Sequence, residues 1–263
     1  MKKTGIPVLM YHALEDDQHP AGAKNQGEQL YVVSVDKFRE QMQNLYSNGF
    51  KTYFVNELIA LAAWPQKAIV LTFDDGHESN YTLALPVLKE FGFKAEFFIT
   101  TGWIGIKKFL EPNQIIELHK SGMAIGSHSV SHPYFNDLSE KEIEKELIDS
   151  KNTLERIINN NITGFSAPGG RLESAKMVDF AKQNDYQAIF TSFPAVFKET
   201  ASLFEIPRFA IRNTTSHSEF SNIVNLRFLT IFKIQFSNVI LNLTKKLLGN
   251  MRYEYIRNVV ISR

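Results

Sequence analysis

The sequence contains no cysteine, which excludes disulfides, thiolate zinc sites and a thiol nucleophile, so any metal must be held by histidine and carboxylate. It has no run of about 18 apolar residues, so no segment reads as a transmembrane helix. Glycine and proline are sparse, 14 and 9 in 263 residues, which excludes a collagen-like or low-complexity chain. No internal repeat is apparent and no Gly/Ser/Pro linker divides the chain. Net charge is small as well. With 29 basic against 28 acidic residues the balance is +1, which offers no global field for nucleic acid.

What is present is enough apolar residue, 44%, to bury a full-sized core. The charge is unevenly placed: residues 222–263 carry seven Lys/Arg and one Glu, so residues 1–221 are net acidic. Met1 to Pro7 has a charged start but too short an apolar stretch for an export signal, giving the expectation of a cytoplasmic protein. The sequons at Asn80, Asn161, Asn213 and Asn242 carry little weight without secretory context.

Short apolar runs alternate with helical segments, the pattern of an α/β layer or barrel with parallel strands. Strands are predicted over 6–11, 68–73, 95–100, 123–126, 163–167, 188–191 and 209–211. Helices are predicted over 35–49, 79–91, 112–120, 139–158 and 174–184, with a long polar loop over 16–29. Ser139 with Glu142 forms a capping box. The economical division is a catalytic-type domain over 1–221 and a basic amphipathic helical tail over 222–263.

In such folds functional side chains stand where strands end, at the carboxyl edge of the sheet. Three polar clusters fall there: Thr72-Phe73-Asp74-Asp75-Gly76, Gly126-Ser127-His128-Ser129-Val130-Ser131-His132, and Ser166-Ala167-Pro168-Gly169-Gly170. The spacing of His128 and His132 lets two imidazoles meet on one face of a helical turn, which suits a first-row divalent metal. Alone the pair is an incomplete site. Asp74 and Asp75 offer a carboxylate and a spare, and adjacent side chains at a strand end diverge, so one can ligate while its neighbour acts as general base.

T-F-D-D-G followed by H-S-x-x-H resembles the first two motifs of the NodB-type polysaccharide deacetylases, carbohydrate esterase family 4, and the match of strand order extends over residues 5–212. The resemblance implies a distorted (β/α)7 barrel that removes an acetyl group from a sugar of an N-acetylated oligo- or polysaccharide, using a divalent metal, usually zinc. It makes Asp75, His128 and His132 the metal ligands and Asp74 the general base. It also places an oxyanion-stabilising backbone N–H in the third motif, here at Pro168-Gly169. An early Tyr-His pair, here Tyr11-His12, resembles the branch acting on poly-N-acetylglucosamine and makes His12 the general acid.

The sequence departs from the family in its third motif, commonly R-x-P-Y, where Ser166-Ala167-Pro168-Gly169 stands and the Arg is missing. Arg208 is the substitute expected to support Asp74, with Arg171 a weaker choice and a surface salt bridge the plain alternative for Arg208. The late L-x-H motif is not recognisable; His217, in a polar stretch, is the only later histidine. His77 either lines the sugar cleft or faces solvent on a loop. An O-acetyl esterase or a deformylase of a lipid-linked sugar needs nearly the same site, and the missing Arg keeps a sugar-binding pseudoenzyme in view.

In the tail, Val224, Phe228, Phe232, Phe236, Ile240, Leu243 and Leu247 recur at steps of three or four, with Arg227, Lys233, Lys245 and Lys246 interspersed. Two readings remain open. One is packing on protein; the other is a peripheral membrane contact through 222–248, at the inner face.

Overall fold

The structure is a computed structural model in which residues 5–170 and 175–248 are described. A curled parallel sheet of eight strands has seven along its main path, β1 (Val8–Tyr11), β2 (Ala68–Phe73), β3 (Glu96–Ile99), β4 (Ala124–Ser127), β5 (Gly164–Ser166), β6 (Ala188–Phe190) and β7 (Phe209–Ala210), with Lys51–Thr52 paired beside β2. Their spatial order is β6-β5-β4-β3-β2-β1-β7. Ile206, just ahead of β7, draws the two ends together: its N–H donates to Ile189 O and its carbonyl accepts from Thr191 N, each at 2.8 Å. The result is the distorted (β/α)7 barrel that the family resemblance implies.

The period of two along each strand sorts side chains to the two faces of the sheet. Val8, Ala68, Val70, Phe98, Ala188 and Phe190 point into the barrel and form one apolar cluster. Their neighbours Leu9, Tyr11, Ile69, Leu71, Phe73, Phe97, Ile99, Ile125, Phe165 and Ile189 point outward to the helices and form the larger one. The same alternation carries past the strand ends and sets which polar residues reach the interior. Gly126 makes this packing possible: a Cβ there would lie 2.4 Å from the Phe98 ring.

The outer layer consists of α1 (Val35–Ser47), α2 (Leu85–Glu90), α3 (Pro112–Lys120), α4 (Glu140–Ile158), α5 (Ala175–Gln183) and α6 (His217–Val224), followed by α7 (Phe228–Leu248). At the start of α4 the Ser139 N–H donates to Glu142 Oε2 at 2.8 Å, the capping box expected there. The helix predicted over 79–91 begins instead with a π-turn, Asn80–Ala84. Pro86 has no N–H to continue the regular ladder, and the buried Asn80 amide is engaged with His12 O at 2.8 Å. The loop predicted over 16–29 holds a short helix, Gln26–Gln29, and is flanked by Leu14–Glu15 paired with Val33–Ser34.

The boundary expected at 221/222 falls inside α6. Phe220, Ile223 and Val224 are buried in the core, so Val224 belongs to the barrel rather than to a tail. The turn to α7 comes at Leu226, with φ +54°. The side chains of Leu243, Lys245, Lys246 and Leu247, and Arg171 as a whole, lie outside the described residues.

Candidate active site

Three strand ends meet at the carboxyl edge of the barrel. Asp74 continues the inward-facing series of β2 after Val70 and Thr72, and is 2% exposed. Asp75, with φ +75°, and Gly76, with φ +78°, then turn the chain sharply. A side chain on Gly76 would bring its Cβ within 2.9 Å of Ile99 Cγ2, so the turn requires glycine on two counts.

Arg208 is fully buried and meets Asp74 two-pronged, Nη1 to Oδ1 at 2.8 Å and Nη2 to Oδ2 at 2.7 Å. Its remaining donors reach Thr72 Oγ1 at 3.0 Å, Ser166 Oγ at 2.8 Å and Thr191 O at 2.9 Å. Its guanidinium also lies 5.8 Å from the ring centroids of both Phe98 and Phe190. Ser166, in the place of the family's arginine, donates its hydroxyl to Asp74 Oδ2 at 3.1 Å. Burial alone raises the Asp74 pKa, but the charge of Arg208, then His128 and the hydrogen bonds of Arg208, outweigh it and hold the carboxyl below its ordinary range.

Asp75, His128 and His132 converge beside this pair, with ligand atoms all within 4.8 Å of one another. Asp75 Oδ1 lies 3.3 Å from His128 Nε2 and 3.6 Å from His132 Nε2. His128 uses Nδ1 against Ser166 O at 2.7 Å, which places the ring proton there and leaves the Nε2 lone pair facing Asp75. Asp75 Oδ1 is buried and receives no hydrogen bond of good geometry. In the neutral ring the contact with Ser166 O turns the Nε2 lone pair toward the Asp75 carboxylate, an arrangement that a divalent cation between them fits. Burial, then the nearby His128, lowers His132 to about 4, so it too is a neutral donor. Burial lowers His128 as well, but Asp74 and Asp75 outweigh it and leave its pKa raised, a sign that this position attracts positive charge.

The histidine pair does not stand on a helical turn. Residues 128–132 form a loop with positive φ at Ser129 (+68°) and His132 (+58°), conformations incompatible with a helix. The loop is held from α4: Glu146 accepts from Val130 N at 2.6 Å, Ser131 N at 3.0 Å and Ser131 Oγ at 2.7 Å. Trp103 stacks on the His132 ring, with centroids 5.3 Å apart. Sequence reasoning missed Glu146 and Trp103 because nothing in their own segments marks them.

His12 follows β1 and is half-buried, with its Nδ1 lacking a hydrogen-bond partner and its ring 4.7 Å from that of Tyr31. Burial lowers its pKa, against the pull of Asp75 and Asp74. Pro168 is buried in the turn after β5, and Gly169 is exposed there with φ +67°. Tyr134 packs across that glycine, where a Cβ would lie 2.9 Å from its ring.

The structure does not bring the remaining histidines into the site. His217 is exposed in the first turn of α6, 3.5 Å from Asn44. His77 does not face solvent. It is 8% exposed, with Nδ1 2.8 Å from Ser79 Oγ and Nε2 3.1 Å from Ala21 O, and so ties the Asp-Asp-Gly turn to the long loop.

A parallel barrel with a carboxylate and two imidazoles converging at its carboxyl edge is a barrel whose strand ends could hold a divalent cation. Residues 62–189 match the polysaccharide deacetylase family, so the chain carries a domain of that family there. It is 29% identical over 223 residues to YxkH of Bacillus subtilis (strain 168), a protein classed with the polysaccharide deacetylases; the match covers 83% of this chain and 76% of that one. It is 26% identical over 200 residues to a poly-beta-1,6-N-acetyl-D-glucosamine N-deacetylase of Staphylococcus epidermidis, covering 70% and 69% of the two chains. Among solved structures, the Streptococcus pyogenes deacetylase PplD in complex with acetate superposes with a TM-score of 0.74 at 26% identity, over 84% of this chain and 98% of that one.

Proposed function

We propose that the protein hydrolyses N-acetyl groups from amino sugars of an oligo- or polysaccharide, with Asp75, His128 and His132 holding a divalent cation, zinc. The observation that carries this reading is the division of labour at Asp74-Asp75. One carboxylate is clamped by a buried arginine, and the next is left facing two imidazole lone pairs. A donor set of two nitrogens and one carboxylate oxygen suits zinc with room for water and substrate. The named activity of the Staphylococcus epidermidis relative supports the substrate class.

When bound, the cation supplies Lewis-acid polarisation of the acyl oxygen and lowers the pKa of water. Asp74, kept ionised by Arg208, takes the proton of the attacking water on Oδ1, which keeps a lone pair beyond the one engaged by Arg208, whereas Oδ2 is occupied by both Arg208 and Ser166. The backbone N–H of Gly169, an exposed residue in the turn after β5, meets the oxyanion that develops on the acyl carbon's oxygen. His12 then delivers a proton to the departing nitrogen as the C–N bond breaks, leaving acetate and a free amine. Burial lowers the His12 pKa, so the proton it delivers is the one Asp74 took from the water, passed to the ring within the cycle and favoured there by the charges of Asp75 and Asp74, which leaves both side chains as they began.

Acetate release from N-acetylglucosamine oligomers and from acetylated xylan, with metal content measured in parallel, tests the reading. The expected result is release from the first substrate, falling about 10²- to 10⁴-fold in Asp74→Asn. Release from xylan alone makes the protein an O-acetyl esterase. Metal binding with release from neither points to a sugar-binding protein, and full activity in Asp74→Asn removes the base assignment.

A further inference from the structure

The two sides of α7 differ. On its inner side Ile231 is buried and Ile234 rests on the core. On its outer side Phe228 is 76% exposed, Leu229 72%, Phe232 54%, Phe236 58% and Val239 47%. The rings of Phe228, Phe232 and Phe236 form a stacked ladder, with centroids 6.1 and 6.2 Å apart. At about 100° per residue these five side chains fill an arc of about 100°, with Lys233 just beyond its margin. No other part of the described chain exposes three large aromatic side chains in a row.

Charge decides between the occupants that an apolar arc admits. Residues 227–248 contain Arg227, Lys233, Lys245 and Lys246 and no acidic residue. A second copy of this helix brings the same sign of charge and no carboxylate to answer it. An anionic lipid surface supplies both an apolar layer and the countercharge. We propose that the outer face of α7 lies in the interface of an anionic membrane, its phenylalanine rings at the acyl boundary and Lys233 at headgroup level.

The helix lies on such a surface rather than crossing it. Among the described residues no single helix is long and apolar enough to span a bilayer. The α6 and α7 pair reaches the required length and composition only together, bent by 102°, and Phe220, Ile223 and Val224 of α6 are committed to the barrel core. The placement is independent of the deacetylase reading, which concerns the opposite kind of feature, a buried polar cluster.

Flotation of the full chain with phosphatidylcholine vesicles, with and without a quarter of phosphatidylglycerol, tests it at about 0.1 M salt, where charge attraction acts over about 10 Å. The wild type is expected to float with the anionic vesicles and at least tenfold less with the neutral ones. The combined Phe228→Ser, Phe232→Ser and Phe236→Ser variant is expected to stay in solution. Lys233→Glu is expected to lose at least about fivefold in partition, the worth of one basic side chain near such a surface. Both variants should keep the barrel's thermal transition and its acetate release from soluble oligomers. Equal flotation of wild type and variants overturns the proposal, as does failure of the wild type to float. A solution dimer that the triple serine variant dissociates also overturns it, because a second copy then covers the face.

Discussion

Arg208 and Asp74, separated by 134 residues in sequence, form a two-pronged ion pair at 2.8 and 2.7 Å with no exposure at the arginine and 2% at the aspartate. The pair does in tertiary structure what the family's third-motif arginine would do from the strand end where Ser166 stands. A guanidinium arriving from just ahead of β7 reaches the same carboxylate, and Ser166 is recruited as an additional donor.

Removing one partner of a buried pair leaves the other charge uncompensated. Arg208→Met is therefore expected to lower stability by about 3–5 kcal/mol. Arg208→Lys keeps the charge but loses the two-pronged geometry. Because Arg208 holds the Asp74 pKa down, its loss raises that pKa, and the acidic limb of the kcat/KM profile in Arg208→Lys should move to higher pH. An unmoved limb would show that Arg208 does not control the protonation of Asp74.

Glu146 holds the loop between the two histidines through three hydrogen bonds. Glu146→Ala is expected to weaken metal binding about 10- to 100-fold in a chelator competition. Glu146→Gln keeps an acceptor for the two N–H groups and should stay close to wild type. Glu142→Ala, which removes the capping box of the same helix without touching the loop, should lower the melting temperature and leave metal affinity unchanged. If Glu142→Ala weakens binding as much as Glu146→Ala, the effect belongs to the helix and not to the clamp.

Metal removal should itself be visible in stability. A cation at a hundredfold excess over its Kd contributes about 2.7 kcal/mol, so stripping it with a chelator is expected to lower the melting temperature by about 5–10 °C. Added zinc should restore it in the wild type and not in Asp75→Ala. Identical melting curves for stripped and zinc-loaded wild type would count against the site.

Glu96 is the buried acid at the other end of the barrel, 8% exposed, with Oε1 accepting from Val55 N at 2.9 Å. Burial pushes its pKa from 4.5 to about 7. The folded protein therefore holds a proton that the unfolded chain has already released between those values. The associated stabilisation is full below pH 4.5 and is lost as pH rises through about 7, with a magnitude of about 3 kcal/mol. Glu96→Gln keeps the acceptor and removes the charge, so its advantage over wild type in thermal melting should grow from pH 5 to pH 8. A difference that stays constant over that range would refute the assignment.

The strands of the barrel were legible because each is a short apolar run ending in turn residues, and α3 and α4 because their starts carry Pro112 and the Ser139 capping box. Lys51–Thr52 and Leu14–Glu15 were not legible, since two residues hold no period and only pairing with a neighbour makes them strands. The spacing of His128 and His132 suggested a helical turn. The loop replaces it because positive φ at Ser129 and His132, held by Glu146, aims both rings at Asp75 in a way the i, i+4 relation alone does not specify. The tail pattern ran through Val224 without marking the corner at Leu226, because a period of 3.6 does not record which partner each apolar residue meets.

By itself the sequence determined the chemistry on offer: with no thiol, the conspicuous donors are the Asp-Asp turn and the paired histidines, both written in adjacent or near-adjacent residues. Tertiary structure alone decided which arginine answers Asp74, which way the loop carries His132, that His77 is a strut, and that the barrel takes in α6 through Val224. Those outcomes depend on contacts between residues far apart in the chain, and local propensity and periodicity carry no information about which distant segments will meet.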